Sequence, residues 1–212
     1  MSAHAQTRSA PRRRSRARVQ RRRLRVMLLA AFAGALVLLA LKPWADKAVQ
    51  ELKLPLRHED IIRQQASDKN LDPTLIAGVI YVESHFRDQT SHAGAKGLMQ
   101  LMPATADYIA RKSGGTQFVQ GDLADPQINI SYGSWYLRYL LQRYHSNVAL
   151  ALAAYNAGEG KVDEWWQQAA DRGETFDVAT HIPFPETRAY VTKVLTARKA
   201  YRREYAVELG LL

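Results

Sequence analysis

At 212 residues, 47% hydrophobic and 24% charged, the chain fits one folded domain with a modest extension and is neither a disordered tail nor a multispanning membrane protein. It contains no cysteine, which excludes a disulfide scaffold, thiol catalysis and cysteine-ligated zinc. The net charge of +10 points toward nucleic acid only until it is mapped: residues 1–26 hold ten Arg and no acid, which leaves 20 basic against 20 acidic residues elsewhere. The part that folds is therefore neutral and has no compositional reason to seek phosphate.

The arginines run directly into Val26 to Leu41, sixteen residues without a charge, closed by Lys42, Pro43 and Trp44. As a helix this stretch spans about 24 Å, somewhat short of the ~30 Å hydrocarbon core of a bilayer. The long basic leader, the lack of a small-x-small cleavage site around Pro43-Trp44-Ala45, and the interfacial preference of Trp44 favour a signal anchor. A cleaved signal peptide and a buried helix of the domain are the alternatives. Arg21 to Arg23 resemble a twin-arginine signal only weakly. In both leading readings the arginines stay in the cytoplasm and residues from 45 onward lie outside. A nucleic-acid arm is disfavoured, because no aromatic side chains interleave with the arginines and an apolar run follows at once. The expected division is a basic cytoplasmic tail over 1–25, a signal anchor or signal peptide over 26–44, and a linker over 45–57. A helical domain follows over 58–205, with a C-terminal tail over 206–212.

Within that domain the start signals are strong. Asp72-Pro73 pairs an N-cap with proline at the first helical position and opens a helix to about Phe86. Asp125-Pro126 repeats the signal before a helix to about Tyr144. Val148 to Tyr155 is Ala/Leu-rich and ends at Asn156 and Gly158, which tolerate left-handed backbone. From Glu186 onward, Tyr190, Val191, Val194, Leu195 and Arg198 recur at helical spacing. Sustained strand alternation is missing, apart from a short hairpin expected around Gly114 to Gly121. The fold class is all-α.

One acid breaks the pattern. In the helix from Pro73 the apolar residues are Leu75, Ile76, Val79, Ile80 and Val82. Glu83 stands three after Ile80, four after Val79 and seven after Ile76, on the buried stripe. Lost hydration and a position near the helix C-terminus both raise the pKa of a carboxyl, as a general acid at neutral pH requires. A Glu paired with Arg or Lys for structural reasons is the reading the helix alone leaves open. Downstream, Ser91 to Pro103 combines Gly94 and Gly97, which permit close backbone approach, with Gln100, Met99 and Met102. Ala154 to Gly158 sets the Tyr155 phenol and the Asn156 amide at a helix end, groups suited to sugar hydroxyls and N-acetyl groups; an ordinary C-cap is the alternative. Of the tryptophans, the pair Trp165-Trp166 is the best candidate for a cleft edge, with one of the two expected in the core.

Together these stretches resemble the lytic transglycosylases, whose catalytic domain is lysozyme-like of the goose type. The resemblance is carried by Glu83-Ser84-His85-Phe86, by Gly94 to Pro103, and by Asp125 to Ile130 with Gly133, Tyr136 and Leu137. It continues through Ala149 to Gly158 and ends in Ile182 to Val191, covering roughly 58–205. It implies a helical domain with a central catalytic helix and functional loops. It further implies cleavage of the β-1,4 bond between N-acetylmuramic acid and N-acetylglucosamine in peptidoglycan, leaving 1,6-anhydromuramic acid ends. By position, Glu83 is the catalytic acid and base; Ser84, Gln100, Met102, Tyr155 and Asn156 line the glycan groove; Glu186 and Tyr190 support the cleft or the stem-peptide side.

Most glycosidases use two carboxylates. Here the neighbouring acids Asp88 and Asp107 sit in surface-type sequence, and His85, two residues past Glu83, points off the catalytic face. A single-acid scheme fits better, with no metal or other cofactor. The expected partners are peptidoglycan strands, the membrane through the apolar helix, and cell-wall or secretion machinery, with no nucleic acid. A lysozyme-type hydrolase and a noncatalytic cell-wall-binding scaffold are the rival functions.

Overall fold

Helices carry the fold. The computed structural model describes residues 27, 32–37, 39–42, 54–114 and 117–212, and the chain divides into two units, Met1–Lys53 and Leu54–Leu212. In the first unit residues 32–37 and 39–42 are helical, with Phe32, Leu36, Val37, Leu39 and Leu41 exposed. Among the described residues no helix is long and apolar enough to cross a membrane. The basic tail and most of the linker expected over 45–57 lie outside the described residues, as does part of the apolar run.

The second unit runs α1 (Glu59–Lys69), α2 (Pro73–Ser84), α3 (Pro103–Ser113), a 3₁₀ helix (Gln120–Ala124), α4 (Pro126–Arg143), α5 (Val148–Ala157), α6 (Glu159–Asp171), α7 (Val178–His181) and α8 (Pro185–Glu204). The two Asp-Pro starts behave as read: Asp72 accepts from the Thr74 amide at 2.9 Å and Asp125 from the Gln127 amide at 2.7 Å. Of the stretch from Gly114 to Gly121, where a hairpin was expected, residues 115 and 116 lie outside the described residues; the described ones form no strand, and Gln120–Ala124 winds into the 3₁₀ helix. The segment 206–212 is no loose tail: Leu209 is buried in the core.

Helices α2 and α5 are apolar all round and therefore sit inside. Leu75 to Ile80 of α2 and Leu150 to Ala154 of α5 are buried without a break. Helix α8 packs across α2, and Gly78 permits the approach: a Cβ there meets Val194 O and Arg198 N at 3.1 Å. Helix α5 lies against α4, α6 and α8, so the ends of α2, α5 and α8 are tied to one core.

Asp72 locks the far end of the α2–α8 pair. Its Oδ1 caps α2 through the amide and hydroxyl of Thr74, and its Oδ2 receives Arg198 at 2.7 Å and Arg202 at 2.7 Å. Burial pushes this carboxyl up, but the bonds from Thr74, Arg198 and Arg202 together hold it below the usual range. A depressed carboxylate contributes stability above its unfolded pKa, and that contribution is lost as pH falls through the folded value. Replacing Asp72 with Ala removes cap and ion pair together, and is expected to cost about 2–3 kcal/mol at pH 7 in urea unfolding. Asp72→Asn, which keeps the cap, should lose about half of that.

Candidate active site

Helix α2 ends just after Glu83 for a backbone reason. His85 and Phe86 both adopt left-handed backbone, φ 52° and 59°, and the Phe86 ring drops into the core beside Tyr201. Two successive non-glycine residues in that region store strain of the kind that collects at functional sites. His85 is exposed, forms the C-cap and lays its ring 4.6 Å from that of Tyr81. Glu83 is thereby left on the last turn of α2, half-buried, facing α8.

There the Tyr190 hydroxyl donates to Glu83 Oε1 at 2.7 Å. Burial raises the Glu83 pKa from 4.5 to about 7, while the Tyr190 hydrogen bond works in the opposite direction. Tyr155 and Tyr190 are themselves pushed well up, first by burial and then by the charge of Glu83, which places both phenols in its electrostatic reach. Tyr190→Phe removes the one bond that favours the charged carboxylate. The Glu83 pKa should then rise above about 7, and the alkaline limb of a kcat/KM pH profile should move to higher pH.

The loop after α2 is tied to this neighbourhood through Tyr155. It closes on itself through Lys96 and Leu101, which exchange backbone hydrogen bonds of 2.9 and 3.0 Å. Gln100, at φ 46°, donates its side-chain amide to Gln89 O and Gly97 O, so it staples the loop. Met102 is 43% exposed just before α3. Tyr155, near the end of α5, donates to Met99 O at 2.9 Å and so ties α5 to this loop. Asn156 is exposed on the following residue.

The structure thus gathers Glu83, Tyr190, Tyr155 and the backbone beside Gln100. One expected groove residue sits differently. Ser84 is buried, and its hydroxyl donates to Ile80 O at 3.1 Å, so it secures the last turn of α2 instead of lining an open surface. Glu186 is exposed in the first turn of α8, where a carboxylate complements the helix dipole. Trp165 is core, stacked edge-on against Phe184, while Trp166 is half-buried against Tyr144. A cavity of about 500 Å³ lies between α2 and α8, lined by Tyr81, Val82, His85 and Lys193 among others; Glu83 is not part of its wall. Among the described residues no group of three or more His, Asp or Glu could hold a metal ion.

Sequence reasoning passed over Asn129. Fully buried on α4, it accepts from Met99 N at 2.8 Å and donates to Lys96 O at 3.0 Å and Leu123 O at 2.9 Å, holding the loop from behind. The signal was the same one that exposed Glu83: a polar residue beside Ile130, Gly133 and Leu137 on an apolar helix face. Gly133 completes the fit, because its missing side chain is filled by Met99, whose Sδ lies 2.3 Å from where a Cβ would stand.

A lysozyme-like helical domain with one half-buried carboxyl at a helix end defines a class, and the comparisons agree with it. Residues 60–177 match the transglycosylase SLT domain, and the chain belongs to that family. It is 35% identical over 172 residues to the soluble lytic murein transglycosylase of Escherichia coli K12, covering 75% of this chain and 27% of that one. To the membrane-bound lytic murein transglycosylase C of Glaesserella parasuis it is 32% identical, over 69% of this chain and 46% of the relative. The crystal structure of the 70 kDa soluble lytic transglycosylase of E. coli superposes with a TM-score of 0.67 at 34% identity, covering 78% of this chain and 27% of that chain. An inactive Glu-to-Gln mutant of the lytic transglycosylase Slt of Pseudomonas aeruginosa gives 0.66 at 33% identity, over 73% and 25%. The chain therefore spans about a quarter to a half of the length of these relatives.

Proposed function

We propose that this chain is a peptidoglycan lytic transglycosylase, with Glu83 acting first as acid and then as base. The observation that carries the proposal is a half-buried carboxyl that accepts from the Tyr190 hydroxyl at 2.7 Å, with its pKa raised to about 7 and the Tyr155 phenol in its electrostatic reach. At neutral pH a substantial fraction of Glu83 is protonated. With Oε1 accepting from Tyr190, the proton sits on Oε2.

That proton passes to the glycosidic oxygen as the bond from C1 of N-acetylmuramic acid breaks. The carbonyl oxygen of the sugar's own 2-acetamido group shields the cationic C1, replacing the second carboxylate of other glycosidases. The Glu83 carboxylate then takes the proton of the 6-hydroxyl, and O6 closes on C1, displacing the acetamido oxygen. Glu83 ends protonated as it began, and no water is consumed. An internal hydroxyl competes with water because effective molarities of well-oriented intramolecular groups reach on the order of 10⁵ M or more. Tyr155 and Asn156 border this centre, and Gln100 and Met102 present the loop to the strand.

The names of the relatives support the reading, since the soluble and membrane-bound enzymes alike are lytic murein transglycosylases. The uncharged run Val26 to Leu41 behind ten arginines supports a signal anchor, with the catalytic unit on the outer side of the cytoplasmic membrane. Mass spectrometry of sacculi digested by the full chain tests the chemistry. Anhydro ends, 18 mass units below their hydrated counterparts, are the expected product; reducing ends alone assign a lysozyme-type hydrolase, and intact strands a noncatalytic wall-binding protein.

A further inference from the structure

One carboxylate that the reaction scheme does not use sits in a network that leads to Tyr155. Glu159 opens α6, directly after the Tyr155-Asn156 turn, and is half-buried. Its Oε1 accepts from the Tyr136 hydroxyl at 3.3 Å, and its Oε2 accepts from Tyr139 at 2.9 Å with Arg143 Nε 3.4 Å away. All three partners lie on α4, on successive turns, so one side chain bolts the start of α6 to that helix. Arg143 is in turn held by Asp163 at 2.5 Å, and Tyr144 donates to Asp163 at 2.9 Å.

Tyr136 is the member that reaches inward. It is 8% exposed, and its ring lies 5.6 Å from that of Tyr155, tilted by 48°. Tyr155 meets the cleft loop at Met99 O and stands in the field of Glu83. We propose that Glu159 is a positioning residue of the active site: by holding the Tyr136 phenol it sets the ring against which Tyr155 is placed beside Glu83. The polar tie is needed because an aromatic pair in tilted contact slides at little cost, being worth only about 0.5–1.5 kcal/mol. A charged acceptor fixes one ring, and packing then fixes the other. Misplacing a group that borders the reacting centre by about 1 Å costs up to about 10²-fold in rate.

The proposal rests on glycan cleavage at Glu83, and the test separates the two. The full chain is assayed for anhydro-product release as wild type, Glu159→Gln, Tyr155→Phe and the double variant, with Asp163→Asn as a control. Glu159→Gln retains the shape but offers one oxygen acceptor where two phenols need two. Its kcat should fall about tenfold with KM changed less than about threefold. In the Tyr155→Phe background, where the phenol that Glu159 positions is already gone, the same substitution should cost less than about twofold, because both residues act through that one hydroxyl. Asp163→Asn, which loosens Arg143 and Tyr144 but not Tyr136, should lower the melting temperature while leaving kcat within about twofold. Wild-type-like kcat in Glu159→Gln overturns the proposal, as does an undiminished effect in the Tyr155→Phe background or an equal kcat loss in Asp163→Asn. A wild-type chain that releases no anhydro product overturns the functional reading, and the proposal with it.

Discussion

Glu83→Gln is expected to lower turnover at least about 10³-fold while glycan strands still bind. The amide fills the same space and accepts from Tyr190, but it neither donates a proton to the leaving oxygen nor takes one from the 6-hydroxyl. General acid–base catalysis typically contributes about 10²–10⁴-fold, and here both steps are lost at once. The check is anhydro-product release against strand binding by sedimentation with sacculi. Wild-type rates in this variant would remove Glu83 from the mechanism.

The same substitution carries a stability signature of opposite sign. Because burial raises Glu83 from 4.5 to about 7, the folded state holds this proton more tightly than the unfolded chain does. The contribution of Glu83 to native stability is then greatest below pH 4.5, declines between 4.5 and about 7, and is lowest above that window. The charged form costs at most about 3 kcal/mol, at 1.36 kcal/mol per unit. Glu83→Gln removes that cost, so it should unfold at higher urea concentration than wild type at pH 8 and match it near pH 4. An inactive variant that is also the more stable one above neutrality is the expected mark of a strained catalytic group.

The second large effect is structural and falls on Gly97. This glycine has φ 76°, and a Cβ there would lie 2.0 Å from Asn129 Nδ2 and 2.5 Å from Leu123 O. Neither neighbour yields cheaply, since one is backbone and the other makes three hydrogen bonds, two of them buried. Gly97→Ala should therefore break the Asn129 anchorage of Met99 and Lys96 in addition to the left-handed strain. The expected loss is about 3–5 kcal/mol. Since 1 kcal/mol shifts the melting temperature of a domain this size by roughly 2–4 °C, calorimetry should show a fall of about 6–20 °C. Gly94→Ala, whose Cβ direction is open although φ is 86°, should cost only the conformational part, about 1 kcal/mol.

The contrast between those two glycines shows where sequence reading reaches and where it stops. The helix starts were legible because their causes are local: Asp72-Pro73 and Asp125-Pro126 need only the next turn to satisfy their caps. Glu83 was legible because helical periodicity alone puts it on an apolar stripe. Ser84 was assigned to the groove by resemblance alone, and its burial with a bond to Ile80 O is set by packing that no motif states. Asn129 and Glu159 act across 30 and 23 residues of chain, on Met99 and Tyr136, and no local pattern specifies such partners. Past Gly121 the described residues wind into a 3₁₀ turn for a related reason: Leu123 is drawn into the core.

The pKa of Glu83 is the quantity on which acid function, the pH profile and the stability signature all depend. Carboxyl-carbon NMR titration of the glutamate-labelled protein reads it directly, with the resonance assigned by its loss in Glu83→Gln. A midpoint near 7 is the expected result; a midpoint near 4.5 means a solvated carboxylate that is already ionised at neutral pH, and contradicts the account.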